Sequence, residues 1–131
     1  MKDLAHRYAA AVDARDYDAV AALFADDAVL AVPRPPEHLD PVVEHVGAAG
    51  VLEAMAALKG VRSTRHEVVD QVYDGTSGRI TGLAHHFVER DGVVTDHVWH
   101  VHYLDDYVEM AEGWRFARRE VHVDGIESHP V

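Results

Sequence analysis

Histidine is the residue type in this sequence with the widest range of chemistry, and 11 of the 131 residues are histidine. An imidazole changes charge near neutral pH, transfers protons in catalysis and ligates transition metals. His100 and His102 lie two residues apart in a strand-like segment, so their side chains share one face. With a third imidazole from His66 or His86, this pair could bind Zn²⁺ or Fe²⁺. No carboxylate-bearing motif supplies the remaining ligands, so we predict no metal site.

The length and composition limit the class of protein. A chain of 131 residues, 48% hydrophobic and 27% charged, is typical of one globular domain spanning residues 1–131. The 12 Lys and Arg residues against 23 Asp and Glu residues give a formal net charge of -11. Phosphate backbones and anionic lipid surfaces would be repelled, so we expect no nucleic acid and no membrane as partners. The absence of cysteine fits a reducing compartment, and we predict a cytoplasmic protein.

The elements that must position the histidines change character near the middle of the chain. Leu4, Tyr8 and Val12 recur at helical spacing, and a second helical run follows Asp16. Residues 29–32 are strand-like, and the prolines within residues 33–36 predict a loop after them. A third helix is predicted over residues 47–58.

The second half has strand periodicity. Residues 64–73, 79–89, 93–107 and 114–123 are rich in Val, His, Tyr and Trp. Asp74-Gly75, Asp91-Gly92 and Glu112-Gly113 between them are hairpin signals, so the strands should form an antiparallel meander. Helices followed by a run of hairpins predict an α+β fold in which the helices cover the apolar face of the sheet. Residues 124–131 are predicted to be a loose tail.

Four stretches carry a resemblance to a known family: RYAAAVDARDYDAVAALFADDAVL, GAAGVLEAMAAL, STRHEVVDQVYDG and GWRFARREVHVDG. In this order they resemble the SnoaL-like group of the nuclear transport factor 2-like superfamily over nearly the whole chain. The resemblance implies a cone-like, curved antiparallel sheet packed against three N-terminal helices, with one pocket.

Within that group, an Asp in the first helical segment and a His that opens the long strand resemble scytalone dehydratase and the hexachlorocyclohexane dehydrochlorinases. These positions are Asp13 and His66 here. The resemblance implies that the carboxylate orients a general-base imidazole, which removes a proton next to an electron-withdrawing group. Elimination or isomerisation of a small apolar or polycyclic molecule would follow, and this chemistry needs no cofactor.

Registration with the same enzymes suggests further substrate-binding residues. Tyr8 and Val32 fall near positions that hold the substrate. Neither of the two tyrosines expected from those enzymes is present, because their positions are Val12 and Val32 here. His122 falls near the last-strand arginine of the dehydrochlorinases, and His100 falls near a pocket asparagine. We therefore assign the even-numbered positions of the third long strand to the pocket and expect His86 and His100 to line it.

That assignment turns Trp99, Val101 and Tyr103 to the outer face of the sheet. An exposed apolar patch made of these side chains is unfavourable in water, so it predicts a homo-oligomer. A dimer is the first expectation, and a trimer is the alternative. Two alternatives to an enzyme stay open from the sequence. One is a non-catalytic domain that binds a small apolar ligand, and the other is a dimerising interaction module.

Overall fold

The computed structural model describes residues 1–131. It contains three α-helices, one 3₁₀ helix and six strands. The helices are α1 (Leu4–Asp13), α2 (Tyr17–Ala21) and α3 (Gly47–Met55), and the 3₁₀ helix is Ala56–Gly60. The strands are β1 (Phe24–Arg34), β2 (His38–Val46), β3 (Ser63–Asp74), β4 (Ser77–Arg90), β5 (Val93–Met110) and β6 (Gly113–Pro130).

The six strands form one curved, unclosed sheet in the order β2-β1-β6-β5-β4-β3. The last four strands pair antiparallel with their neighbours in the chain, as the hairpin signals predicted. In the β4–β5 turn, Asp91 and Gly92 have φ angles of 52° and 78°. Two consecutive positive φ angles are what a two-residue hairpin turn requires, and Asp-Gly adopts them readily. β1 adds a parallel pair with β6, so the complete sheet is mixed.

Two segments differ from the sequence prediction. The proline-rich loop is in fact the end of β1 and a turn into β2, an edge strand that the sequence did not indicate. Pro33 is tolerated because the β1–β2 register shifts between Val32 and Arg34, at a bulge that needs no donor from this residue. The predicted tail is also wrong, since β6 continues to Pro130 and pairs with the first part of β5.

The core lies between the inner face of the sheet and the helices. α1 packs against β3, α3 packs against β1 and β2, and α2 contacts both of the other helices. Leu4, Tyr8 and Val12 of α1 are buried, in agreement with their helical spacing. None of the helices combines the length and the apolar character that crossing a bilayer requires.

A buried ion pair lies within this core. Arg119 Nε of β6 and Asp105 Oδ1 of β5 are 3.1 Å apart, and their side chains are 1% and 0% exposed. The two groups attract by charge but are not aligned for a hydrogen bond. Tyr107 donates a hydrogen bond of 2.9 Å to Asp105 Oδ2. The guanidinium carbon lies 3.7 Å from the ring centroid of Tyr103 and 4.4 Å from that of Tyr8, distances at which aromatic rings stabilise a cation.

Removing one partner of this pair should be costly. Arg119→Met leaves the Asp105 carboxylate buried without its cation, and we expect it to lower the free energy of unfolding by roughly 3–5 kcal/mol. The double variant Arg119→Met/Asp105→Asn removes both charges and should recover most of the loss. Urea unfolding monitored by circular dichroism measures both values. A single variant as stable as the wild type would contradict this account.

Candidate active site

The end of α1 and the start of β3 meet at one carboxylate. Asp13, the last residue of α1, accepts three hydrogen bonds from β3. His66 donates its backbone N–H to Oδ2 at 2.8 Å, and its ring Nδ1 lies 2.7 Å from Oδ1. Thr64 Oγ1 donates to the same Oδ1 at 2.9 Å. Because β3 is an edge strand, its outward-facing N–H groups are free for a partner such as this side chain.

These hydrogen bonds fix the protonation states at the contact. Burial alone would raise the pKa of Asp13, but the hydrogen bonds and charge of His66, together with Thr64, outweigh it and lower that pKa. Asp13 is therefore an ionised acceptor near neutral pH, and the His66 Nδ1 that faces it carries a proton. The lone pair of the neutral imidazole then lies on Nε2, the ring nitrogen that Asp13 does not use.

The imidazole of His66 lines a cavity of about 150 Å³ between the helices and the inner face of the sheet. Of the 15 lining residues, 12 are hydrophobic. The helical side contributes Tyr8, Val12, Ala54, Met55, Ala57 and Leu58, and the strands contribute Val32, Pro33, His66, Ala84, His86, Trp99, Val101, Tyr103 and Val121.

A second histidine in the cavity is held neutral. His86 is 7% exposed, its Nδ1 donates to the backbone carbonyl of His97 at 3.2 Å, and its ring meets the ring of His66 edge-on at 6.2 Å. Burial lowers the pKa of His86 to about 4, against the opposing effect of the hydrogen bond to His97. His86 therefore presents a neutral Nε2 acceptor to the cavity.

Two tyrosines lie where the cavity meets the core. Tyr8 and Tyr103 line the cavity, and both rings contact the buried Arg119 guanidinium. Burial raises the pKa of both phenols, and the nearby Arg119 guanidinium opposes this only in part. Both hydroxyls are therefore neutral groups that can donate a hydrogen bond to a ligand.

Among the residues predicted from the sequence, Tyr8, Val32, His66 and His86 line the cavity, and Asp13 lies behind His66. Two expected substrate-binding residues, His100 and His122, lie elsewhere.

His100 and His122 occupy the outer face of the sheet. His100 is exposed and its Nε2 lies 2.7 Å from Glu127. His122 lies 2.9 Å from Glu120, and its ring stacks on that of His102 with centroids 4.6 Å apart. Neither histidine contacts the cavity, so neither can bind a substrate there.

On β5, the sequence prediction turned the wrong set of alternating positions toward the cavity. The alternation was predicted correctly, but the odd-numbered positions face inward: Trp99, Val101 and Tyr103 line the cavity. The apolar face of a strand turns toward the covering helices, and this rule, applied to β5, would have selected the odd positions. The predicted oligomer surface built on these residues is therefore wrong, because their side chains are used inside the protomer. The same phase separates His100 and His102 from His66 and His86, so the three-imidazole metal combination does not form.

The family model of the SnoaL-like domain matches residues 1–120. Among curated protein sequences, none matches this chain at a significant level.

Several solved structures share the fold. A protein from Novosphingobium aromaticivorans designated an aromatic ring hydroxylase is 23% identical, with a TM-score of 0.78 over 99% of this chain and 90% of that chain. A scytalone dehydratase-like protein from the same organism is 22% identical, with a TM-score of 0.78 over 99% of this chain and 85% of that chain. The type 3 hexachlorocyclohexane dehydrochlorinase LinA of Novosphingobium barchaimii is 15% identical, with a TM-score of 0.77 over 99% of this chain and 86% of that chain.

The chain belongs to the SnoaL-like family and has the nuclear transport factor 2-like α+β fold. The structural neighbours carry different designations at low identity, so their likeness establishes the fold and leaves the reaction to the residues of the site.

Thr64 was not predicted from the sequence as a site residue. Its hydrogen bond to Asp13 predicts an effect on the pKa of that carboxyl group. Thr64→Val keeps the shape of the side chain but removes the hydrogen bond to Asp13 Oδ1, so the pKa of Asp13 should rise. Thr64→Ser keeps the hydroxyl and serves as the matched control. Titration of the Asp13 carboxyl carbon by NMR measures the shift. An Asp13 pKa that is the same in the valine variant as in the wild type would show that this hydrogen bond has no effect on the carboxylate.

His86 predicts a pH dependence of stability. Its pKa is about 4 in the folded protein and near 6.5 in an unfolded chain, so the unfolded state binds the extra proton first. The stability is complete above pH 6.5 and falls as the pH drops toward 4, by about 3 kcal/mol from this residue. His86→Phe cannot bind the proton, so its unfolding free energy should fall less over the same range. Urea unfolding at pH 7 and pH 4 tests this, and equal losses in both proteins would refute it.

Proposed function

We propose that this protein is a small-molecule lyase or isomerase in which His66 is the general base and Asp13 orients it. The observation that carries the proposal is the 2.7 Å contact between His66 Nδ1 and Asp13 Oδ1, with the imidazole lining an apolar cavity. A base in this setting has a defined tautomer, and it lies among mostly hydrophobic side chains.

The proposed step is a proton transfer. His66 Nε2 takes a proton from a carbon next to an electron-withdrawing group, and Asp13 stabilises the imidazolium that forms. The electron pair of the broken C–H bond either expels a leaving group, which is elimination, or shifts within the substrate and is reprotonated by His66, which is isomerisation. In elimination, the imidazolium then gives its proton to the departing group or to water. Both outcomes thus return the protein to its starting state without a cofactor. The names of two structural neighbours, a scytalone dehydratase-like protein and a dehydrochlorinase, describe eliminations and support this class.

The alternative is a non-catalytic domain that binds a small apolar ligand. The largely apolar lining of the cavity suits such binding whether or not a reaction follows. The two readings differ in whether His66 moves a proton. In both, the ligand is a small molecule and the cavity is its site.

We also propose that the chain forms a homo-oligomer in the cytoplasm, a dimer first and a trimer second. The support that remains comes from the edges of the sheet. β2 and β3 are edge strands with exposed valines, Val42 and Val46 on one edge and Val69 and Val72 on the other. An open edge that carries apolar side chains is suited to pairing with another copy. Light scattering that gives a particle of 14.5 kDa would contradict this part.

The catalytic proposal can be tested without knowledge of the leaving group, because both outcomes begin with removal of a proton. The probe is 2-cyclohexen-1-one in D₂O, and NMR follows the exchange of the protons next to the carbonyl group. The wild type should accelerate exchange, and His66→Ala should reduce the enzymatic rate on the order of 10²–10⁴-fold. Asp13→Asn should also slow it, because an amide can hold the imidazole in the wrong tautomer.

The matched control is His100→Ala, which removes the same side chain from the outer face of the sheet. Its exchange rate should equal that of the wild type. Circular dichroism establishes that each variant is folded. A folded His66→Ala variant with wild-type exchange would exclude the mechanism and leave the binding-domain alternative.

A further inference from the structure

The volume of the cavity limits what it can hold. At about 150 Å³, it has the size of an apolar cavity that accommodates one benzene molecule. A second fused ring would exceed this volume, and the side chains of a close-packed interior do not readily move apart. Of the small apolar or polycyclic molecules expected from the sequence, the volume favours those with one ring.

One side chain sets much of that limit. Trp99 is the largest residue lining the cavity, and it stands on the inner face of β5 directly beside Ala84 of β4. Ala84 is 3% exposed although its own side chain is a single methyl group, so larger neighbours cover it. The Trp99 ring centroid lies 4.3 Å from that of His86, in contact with the second imidazole of the cavity.

Trp99 also has a defined place along the cavity. The inward positions of β5 run from Tyr103, next to the buried Arg119, through Val101 to Trp99. Tyr103 is buried in the core, whereas Trp99 is only partly buried at the edge of the core cluster. A ligand that extends from Tyr103 past Val101 therefore meets the indole.

We propose that Trp99 is the specificity-determining residue of this cavity and restricts its ligand to a single six-membered ring carrying a small polar group. This inference rests on the proposed function only in taking the same cavity as the binding site. The ring lies against apolar walls, and the polar group reaches the neutral hydroxyls and imidazoles that interrupt them. Shortening Trp99 opens the cavity beside Ala84, where a second ring can then enter.

The test compares two ketones that differ by one fused ring, 2-cyclohexen-1-one and 1-tetralone, with binding measured by isothermal titration calorimetry. The wild type should bind the one-ring ketone at least tenfold more tightly. Trp99→Ala should reverse this preference by binding 1-tetralone at least tenfold more tightly than the wild type does. Trp99→Leu is the second variant, since it keeps an apolar side chain in place if the alanine variant does not fold.

Trp114→Ala is the matched control, because Trp114 is the other tryptophan of the chain and does not line the cavity. It should keep the wild-type preference. The proposal is overturned if the wild type binds 1-tetralone at least as tightly as 2-cyclohexen-1-one, if it binds neither, or if the ratio is unchanged in both Trp99 variants. The same titration of Asp13→Asn separates the two proposals, because Asp13 does not line the cavity and the imidazole of His66 stays in its wall. A protein with slowed proton exchange that keeps the one-ring preference supports the cavity limit whether or not His66 is catalytic.

Discussion

The carboxylate of Asp13 is the point on which both the fold around the pocket and the proposed chemistry depend. It ends α1, and its three hydrogen bonds from Thr64 and His66 attach that helix to an edge strand with no neighbour on its outer side. The same bonds set the tautomer of the imidazole and lower the pKa of the carboxyl group. The cost of burying a charge is offset here by hydrogen bonds that also orient the base.

The two faces of the sheet divide the histidines into two populations. His66 and His86 lie inside, in contact with each other, whereas His100, His102 and His122 lie outside and each contacts a carboxylate. The pair of His100 with Glu127 is exposed, and pairs of this kind contribute little to stability. Of the 11 histidines, only His66 and His86 line the cavity.

The sequence predicted what depends on local pattern. The helical spacing of Leu4 and Tyr8 and the turn at Asp91-Gly92 gave the order of helices and hairpins, and the family resemblance indicated Asp13 with His66. The phase of β5 could not be obtained by alternation alone, because alternation defines two faces without saying which one the helices cover. The end of β6 was missed because its strand character comes from pairing with the distant first part of β5. β2 was missed although its partner β1 directly precedes it, because the prolines between the two strands predicted a loop.

The neutrality of the cavity constrains any reaction in it. Tyr8 and Tyr103 have raised pKa values and His86 has a lowered one, so these three groups are uncharged near neutral pH, and Asp13 behind His66 is ionised. The guanidinium of Arg119 contacts the rings of Tyr8 and Tyr103 and is paired with Asp105. When His66 accepts a proton, Asp13 balances the imidazolium, but the walls offer the substrate only neutral donors. The electron pair left on the substrate must therefore be delocalised into its own electron-withdrawing group or depart with a leaving group. A substrate with neither would return the proton unchanged.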